Sequence, residues 1–233
     1  MLSKIKKIGI LKNRCFNYVA MNFDEIIYFL EKRLKGTKPG AFAHNQMKPT
    51  LANGSPISIK HTSPPKKGAV LILINNINGE ACFPLIQRPT YEGVHSGQIA
   101  LPGGKYEPSD DDLFQTALRE TEEEIGIAQQ EIEVIGALSQ FYVAASNYDV
   151  LPVVGRMNAA PSFRLDQREV EEVINPKLAA LTNRANRKKK ELLVRGNVKL
   201  DSPYFDLEGK VVWGATAMML SEFEAILGEF RST

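Results

Sequence analysis

The 233-residue sequence has few of the features that mark membrane proteins or disulfide-stabilised proteins. Its longest apolar runs are much shorter than the roughly 20 residues that a membrane-spanning helix requires. We therefore do not expect the chain to be an integral membrane protein. It has two cysteines, Cys15 and Cys82, which do not form a Cys-x-x-Cys pair. Two thiols cannot make a disulfide framework, and this favours a reducing, cytoplasmic location.

The sequence also has few histidines, and its most basic stretch contains no aromatic residue. The spacing of the three histidines, His44, His61 and His95, does not predict a metal triad. The most basic stretch, residues 184–190, carries five bases but no aromatic residue, so nucleic-acid binding is not expected. We interpret this stretch as a charged surface loop, with binding of a phosphate or another anion as the alternative.

The net charge of +2 hides an uneven distribution of charge along the chain. Residues 1–67 hold 13 Lys and Arg against three acids, whereas residues 68–233 hold 16 against 24. A basic N-terminal part attached to an acidic remainder of the chain can attract an anionic ligand. A solvated surface without a specific role is the alternative interpretation.

Hydrophobic periodicity predicts a few helices that alternate irregularly with strands. An amphipathic helix over 23–35 precedes a connector over 37–67 that is rich in Pro, Gly and Ser, and apolar runs at 69–74 and 81–87 flank an Asn-Gly turn. The remaining predicted elements are helices over 110–125, 176–181 and 215–230 and strands over 131–142, 150–157, 192–200 and 210–213. This pattern is typical of the α+β class, with a helix packed on a mixed sheet.

Three glutamates share one face of the predicted helix over 110–125. At about 100° per residue, Glu120, Glu123 and Glu124 fall within an arc of about 100°. Like charges at this spacing weaken an isolated helix, but a divalent cation would neutralise them, and carboxylate oxygens suit Mg²⁺, with Mn²⁺ as a substitute. A solvated acidic face is the alternative for three glutamates alone. The preceding Gly103-Gly104 pair favours the metal site, because its backbone N–H groups can approach a phosphate.

The segment that contains these glutamates resembles the Nudix box, G-x5-E-x7-R-E-U-x-E-E-x-G-U, in which U is a bulky aliphatic residue. The matching residues are Arg119, Glu120, Glu123, Glu124, Gly126 and Ile127. Thr121 stands at an aliphatic position, one extra residue separates Gly104 from Arg119, and Asp110 stands at the position of the first glutamate. The resemblance implies a Nudix fold, an α/β/α sandwich around a mixed sheet, and Mg²⁺-dependent cleavage of a diphosphate linked to another moiety.

The longer box and its flanks are similar to one group of this family, the coenzyme A pyrophosphatases. The similarity covers the box at 103–120 and an upstream signature at 85–104, where Pro89 and Gly93 are departures, and it extends over roughly residues 23–223. It implies cleavage of coenzyme A or acyl-coenzyme A to 3′,5′-ADP and 4′-phosphopantetheine or its acyl form. Hydrolysis of ADP-ribose or a dinucleotide is one alternative. A Nudix-like regulator that binds a nucleotide without cutting it is another, although the intact set of glutamates argues against it.

The resemblance also implies which residues form the site. Glu120, Glu123 and Glu124 would hold the metal, and Arg119 would orient a carboxylate. The predicted substrate-binding residues lie close to the box: Arg88, His95, Gly103, Gly104 and Lys105. Glu169, in an acidic loop at 165–172, stands where Nudix enzymes often take a catalytic base or an extra metal ligand. A solvated loop, with the base inside the box, is the alternative.

The predicted partners are a small-molecule nucleotide substrate and no membrane, and a homodimer is left open. The chain is divided into a dispensable extension over 1–20, an N-terminal helix and connector over 21–67, and a Nudix hydrolase domain over 68–233.

Residues 1–20 are predicted to be dispensable, because they lack periodicity, carry five bases and no acid, and precede a competent start at Met21. Lys12 and Arg14 interrupt any hydrophobic region, so no signal peptide is expected. A chain that begins at Met21 should match the full chain in thermal denaturation and in turnover. A loss of more than about 2 kcal/mol in the free energy of unfolding, the scale of one lost core side chain, would show that the segment packs against the domain.

Overall fold

The computed structural model describes residues 21–90, 95–194 and 198–230. The predicted extension over 1–20 and the departure at Gly93 lie outside the described residues. The helices are α1 (Phe23–Arg33), α2 (Ala41–His44), α3 (Leu113–Ile125), α4 (Leu178–Leu181) and α5 (Gly214–Phe230). No helix within these described ranges is long and apolar enough to cross a membrane.

Strands make up most of the remaining regular structure. They are β1 (Thr50–Leu51), β2 (Lys66–Ile77), β3 (Glu80–Cys82), β4 (Leu85–Gln87), β5 (Ile99–Ala100), β6 (Gly103–Lys105), β7 (Glu133–Ala137), β8 (Phe141–Val143), β9 (Tyr148–Met157), β10 (Glu172–Ile174), β11 (Arg187–Val194), β12 (Val198–Leu207) and β13 (Lys210–Trp213). They form three sheets: a six-stranded sheet built on β3-β2-β9-β7, with β6 beside β2 and β8 beside β9; the sheet β10-β4-β5; and the sheet β1-β12-β11, with β13 beside β12.

The long strand β2 lies at the centre of the fold, parallel to β9 and buried on both faces. Its side chains alternate between two layers of the core, as the pleat of a strand requires. Ala69, Leu71 and Leu73 pack on the side of α3. Ile72 and Ile74 pack on the opposite side, with α1 and α5. The mixed sheet therefore lies between helices, which confirms the predicted α+β class and α/β/α sandwich.

The apolar run over 81–87, which the sequence predicts as one strand after the Asn-Gly turn, forms two short strands, because it divides at Phe83-Pro84 between two sheets. Its first half is β3, which pairs with β2, and its second half is β4, which pairs with β10 and β5. Pro84 has no N–H to donate to a ladder, and Phe83 is fully buried with its N–H bonded to the Pro176 carbonyl. The chain therefore changes partners at this point. The predicted strand over 131–142 is divided in a similar way, into β7 and β8.

The charged loop predicted over 184–190 is wrong from residue 187 onwards, and the strand predicted over 192–200 is divided between two strands. The chain forms two antiparallel strands, β11 and β12, paired from Arg187↔Phe205 to Val194↔Val198. Lysines are poor strand formers, but opposite charges across a ladder stabilise it. Here Lys188 lies 2.6 Å from Asp206, and Lys189 lies 2.5 Å from Asp201.

Helix α3 begins at Leu113, three residues later than predicted. Asp112 caps it by accepting a hydrogen bond of 2.9 Å from the Gln115 N–H. Gly126 ends it at φ 72°, where a Cβ atom would lie 2.7 Å from Arg164. The predicted helix over 23–35 is confirmed as α1, with Asn22 as its cap.

A buried carboxylate joins the N-terminal segment to the last helix. Glu222, on α5, is fully buried and lies 2.9 Å from Nε2 of His44. It also accepts hydrogen bonds from the Gly40 N–H at 2.8 Å and from Oγ and N–H of Ser139 at 2.6 and 3.1 Å. These hydrogen bonds hold the pKa of Glu222 below its ordinary value despite its burial.

Substitution of Glu222 by Gln is expected to lower the free energy of unfolding by about 2–4 kcal/mol, because it leaves buried donors without their charged acceptor. A carboxyl with a lowered folded pKa stabilises the fold above its unfolded pKa, and that stability is lost as pH falls through the folded pKa. Denaturation below neutral pH should therefore depend less on pH in the variant. Glu229→Gln, at a half-exposed ion pair on the same helix, is the control and should cost less than about 1 kcal/mol.

Candidate active site

A cluster of three carboxylates lies where α3 meets the loop that precedes β10. Glu120, Glu124 and Glu169 each offer an oxygen atom, and these oxygen atoms lie within 4.8 Å of one another. The first two come from adjacent turns of α3, as the helical spacing predicted. Glu169 comes from 45 residues further along the chain, so the cluster depends on tertiary structure.

Glu124 is the most buried member, with 1% of its surface exposed. The Gly103 N–H donates to its Oε2 at 2.8 Å, and Nη2 of Arg88 lies 3.4 Å from its Oε1. Burial raises the pKa of Glu124 to about 7, against the opposing effects of Arg88 and the Gly103 N–H. The carboxylate is thus held in a fixed position at a substantial electrostatic cost.

The two glycines before the helix leave room for these carboxylates and for the sheet. Gly103 has φ 143°, and a Cβ there would lie 2.3 Å from the Ala69 carbonyl oxygen on β2. A Cβ on Gly104 would lie 2.5 Å from the Glu120 carboxylate. The Gly-Gly pair is therefore required by close approach of β6 to both β2 and α3.

Arg119 positions its neighbours through a bidentate pair with Asp110. Its Nε and Nη2 lie 2.8 and 3.0 Å from the two carboxylate oxygens of Asp110, while its Nη1 donates to Glu120 at 3.1 Å and to Glu123 at 3.0 Å. The hydrogen bonds that Asp110 accepts, first from Arg119 and then from the Glu107 N–H and the Thr116 hydroxyl, hold its pKa far below its ordinary value. Asp110, which stands at the first-glutamate position of the box, thus fixes the arginine that orients the glutamates.

Glu120 and Glu123 differ in their surroundings, although both contact Arg119. The Glu120 side chain is 12% exposed, and burial raises its pKa, with Arg119 opposing the rise. The Glu123 side chain is 58% exposed and does not belong to the cluster of three oxygens. A role for Glu123 as a metal ligand therefore stays a prediction.

The loop that carries Glu169 is anchored to the end of α3. The Asp166 N–H donates to the Glu124 carbonyl at 3.1 Å, and the Arg164 N–H donates to the Ile125 carbonyl at 2.9 Å. Val170, which follows Glu169, is 1% exposed and packs in the core beside α3. This buried valine explains how the exposed Glu169 is held beside the box.

Two of the other predicted substrate-binding residues, Arg88 and Lys105, contact residues of the box, and the third, His95, contacts Gln98. Nη2 of Arg88 donates to the Gly103 carbonyl at 3.2 Å as well as facing Glu124. Lys105 has an exposed side chain, and its carbonyl accepts from Arg119 at 2.9 Å. Nδ1 of His95 donates to Oε1 of Gln98 at 3.0 Å, and burial lowers the pKa of this histidine.

A large cavity, which sequence reasoning missed, adjoins this cluster. It measures about 1450 Å³, and its wall includes the 95–99 segment, residues 140–145 and the strands β11, β12 and β13. Gln98 belongs to this wall, and its backbone carbonyl accepts from the N–H of Arg88 at 3.0 Å, while the Arg88 side chain reaches Glu124. The cavity and the carboxylates are therefore neighbours. The missing signal is the pairing of β11 with β12, which brings apolar residues of two strands to one surface.

The donor set of the cluster fits a divalent cation. Its three members are carboxylates, the oxygen ligands that Mg²⁺ and Mn²⁺ take from proteins. Burial and mutual repulsion raise the pKa of both Glu120 and Glu124, and a bound cation would relieve that repulsion. Glu120 and Glu124 would hold the cation, with Glu169 beside them.

The NUDIX domain family matches residues 65–193 of the chain. The human protein "Mitochondrial coenzyme A diphosphatase NUDT8" is 35% identical over 162 residues, which are 68% of this chain and 68% of that protein. "Nudix hydrolase 15, mitochondrial" of Arabidopsis thaliana is 34% identical over 67% of this chain, but the match spans only 56% of its length. Among solved structures, a MutT/nudix family protein from Enterococcus faecalis aligns at a TM-score of 0.45 with 14% identity, covering 89% of this chain and 75% of its own.

Substitution of Gly104 by Ala is expected to weaken Mn²⁺ binding about tenfold or more, because the new Cβ would displace the Glu120 carboxylate, while the fold should persist because only a side-chain end must move. Paramagnetic resonance titration with Mn²⁺ measures the affinity, and thermal denaturation checks the fold. Gly228→Ala is the matched control, since its Cβ would meet nothing within 4 Å. Equal affinities in both variants would contradict the placement of the metal at Glu120.

Proposed function

The chain belongs to the Nudix hydrolase family, and from this premise we propose that it is a Mg²⁺-dependent hydrolase that cuts the diphosphate bond of coenzyme A or acyl-coenzyme A. Nudix hydrolases act on phosphorus-containing anhydrides and use divalent metal ions. The choice of Mg²⁺, with Mn²⁺ as a substitute, and the choice of substrate are the parts that we propose.

The observation that carries this proposal is the cluster of Glu120, Glu124 and Glu169 beside the Gly103-Gly104 backbone. A divalent cation, when bound, supplies Lewis-acid polarisation of a phosphoryl oxygen. Glu120 and Glu124 would bind the cation. Glu169 is exposed and close to both, so water can reach it, and it would take the proton of the attacking water.

Arg119 contributes by position. It faces Asp110, Glu120 and Glu123 at 2.8–3.1 Å, so its charge is committed to the protein's own carboxylates. Arg88, 26% exposed and in contact with Glu124, has a free edge from which it would contact a phosphate oxygen. Glu123 would contribute a carboxylate at the outer edge of the metal site.

Two observations support coenzyme A over ADP-ribose or a dinucleotide. The human relative is named a coenzyme A diphosphatase. The cavity beside the carboxylates is lined by both amide-bearing and apolar side chains, including Gln87, Gln98, Leu192 and Leu200. Such a wall suits the pantetheine arm, whose amides alternate with apolar groups, better than a second ribose or nucleotide.

The remaining parts of the proposal concern the whole protein. We propose a small nucleotide derivative as the partner and a cytoplasmic location, although the human and Arabidopsis relatives are named as mitochondrial. The division into 1–20, 21–67 and 68–233 is also proposed, with α1 and Met47 of the middle segment packing into the core of the last one. A homodimer stays an open prediction.

A substrate panel tests the proposed function. With Mg²⁺, coenzyme A and acetyl-coenzyme A should yield 3′,5′-ADP, with water consumed at the diphosphate and the thioester left intact. ADP-ribose and NADH, at equal concentration, should react at least tenfold more slowly. Chromatography of the nucleotide products measures both. Rapid cleavage of ADP-ribose without detectable cleavage of coenzyme A would place the chain with the alternative substrates, and binding without any cleavage would indicate a regulator.

Substitution of Glu169 by Gln is expected to lower kcat about 100-fold, the scale of a lost proton-transfer group, with a smaller change in Mn²⁺ affinity. Glu124→Gln should lower both kcat, by at least about 100-fold, and the affinity. Glu123→Gln removes the same charge from the edge of the site and should cost less than either. If Glu169→Gln leaves turnover and the pH–rate profile unchanged, the base must lie within the box instead.

A further inference from the structure

The cavity beside the carboxylates is a groove whose floor is one face of the sheet β1-β12-β11 with β13. The ladder pairs Leu192 with Leu200 and Val194 with Val198, and Leu200 is also paired with Leu51. All five of these side chains line the cavity. Residues on the opposite face of the sheet, such as Phe205 and Val212, are fully buried in the core. The hairpin end of this floor is therefore an apolar sheet face, on which Leu200 is 6% exposed and Val198 is 40% exposed. Further along the same face, Lys190 is paired with the fully buried Ser202.

This floor is long and narrow. From Trp213, which lines the cavity and is paired with Tyr204, to Val198, the floor spans six residues of β12. At about 3.3 Å per residue, the floor is about 20 Å long. A length of this kind suits an extended chain better than a second ring system.

Polarity changes along the groove. At the end beside the carboxylates, Lys210 donates to Oε1 of Gln87 at 2.9 Å, and Arg88 follows Gln87 directly. The walls there also carry His95 and Gln98. At the hairpin end the floor carries the aliphatic side chains of Leu192, Val194, Val198 and Leu200, with Lys190 next to them on the same face of β11, and Val198 exposes 40% of its surface. A ligand with a polar end near the carboxylates and an apolar end near the β11-β12 hairpin would match both ends of the groove.

We propose that this groove binds the acyl chain of the substrate and gives the enzyme a preference for long-chain acyl-coenzyme A over free coenzyme A. The inference rests on the proposed function. The diphosphate lies at Glu120, Glu124 and Glu169, the amide-bearing arm passes Gln87 and Gln98, and the acyl chain lies on Leu192 and Leu200. These last two residues then determine specificity, while the chemistry stays at the diphosphate.

A chain-length series tests the proposal on the full protein with Mg²⁺. The substrates are free, acetyl-, hexanoyl- and lauroyl-coenzyme A, below the concentrations at which the last forms micelles. The value of kcat/KM should rise from hexanoyl to lauroyl at least tenfold, with an upper limit of about fourfold per methylene removed from water. A flat series would overturn the proposal.

Variants locate the effect in the groove. Leu192→Trp, which fills the floor, and Leu192→Asp, which makes it polar, should each lower the ratio of kcat/KM for lauroyl- over free coenzyme A at least tenfold. Glu191→Trp is the matched control, because Glu191 lies on the opposite face of the same strand in an exposed ion pair with Lys199. It should leave the ratio unchanged. Thermal denaturation confirms that each variant is folded.

Binding separates this proposal from the proposed function. Calorimetry with EDTA present, so that no substrate is cut, should show lauroyl-coenzyme A binding more tightly than coenzyme A and losing that advantage in Leu192→Asp. If binding follows this pattern but no diphosphate is cleaved, the groove is supported and the proposed reaction is wrong. If coenzyme A is cleaved but Leu192 variants alter neither binding nor the ratio, the groove assignment is wrong and the proposed reaction stands.

Discussion

Oxygen atoms of three carboxylates lie within 4.8 Å of one another, and one of these carboxylates is almost fully buried. The rest of the site depends on offsetting the unfavourable free energy of placing these like charges together. Burial opposes ionisation of Glu124 and raises its pKa to about 7. The Gly103 N–H and Arg88 offset part of this cost, and Arg119 does the same for Glu120. A divalent cation would neutralise the negative charge that these groups leave uncompensated.

The same electrostatic cost explains the backbone conformation at Gly103 and Gly104. Glu124 can accept the Gly103 N–H only if β6 approaches α3 closely, and that approach leaves no room for a Cβ at Gly104. The β6 strand is in turn held against β2, whose Ala69 carbonyl would meet a Cβ on Gly103. The apolar central strand therefore supports the position of the charged cluster, and the packing of the core and the geometry of the site are one arrangement.

The substrate side of the site depends on segments outside the box. Glu222 ties residues 40–44 and Ser139 to the last helix, and His44 also lines the groove. The hairpin of β11 and β12 supplies the apolar floor. A substitution in these segments can thus alter specificity or stability while the carboxylates stay in place, so the two kinds of effect are separable by experiment.

Local spacing in the sequence was enough to determine the central helix and its glutamates, because residues four apart on a helix lie on one face whatever surrounds them. It likewise determined α1, the Gly-Gly pair and, through the box, the family. Only the tertiary structure decided which distant groups join them. Glu169 reaches Glu124 because its loop bonds to the end of α3, and Asp110 reaches Arg119 because the helix begins at Leu113. Likewise, the basic residues at 187–190 belong to a strand that pairs with β12, and two of them, Lys188 and Lys189, form ion pairs with acids on that strand. Such contacts depend on which strands become neighbours, and the free energy of that choice comes from cross-strand pairing and core burial, which no local window of the chain contains.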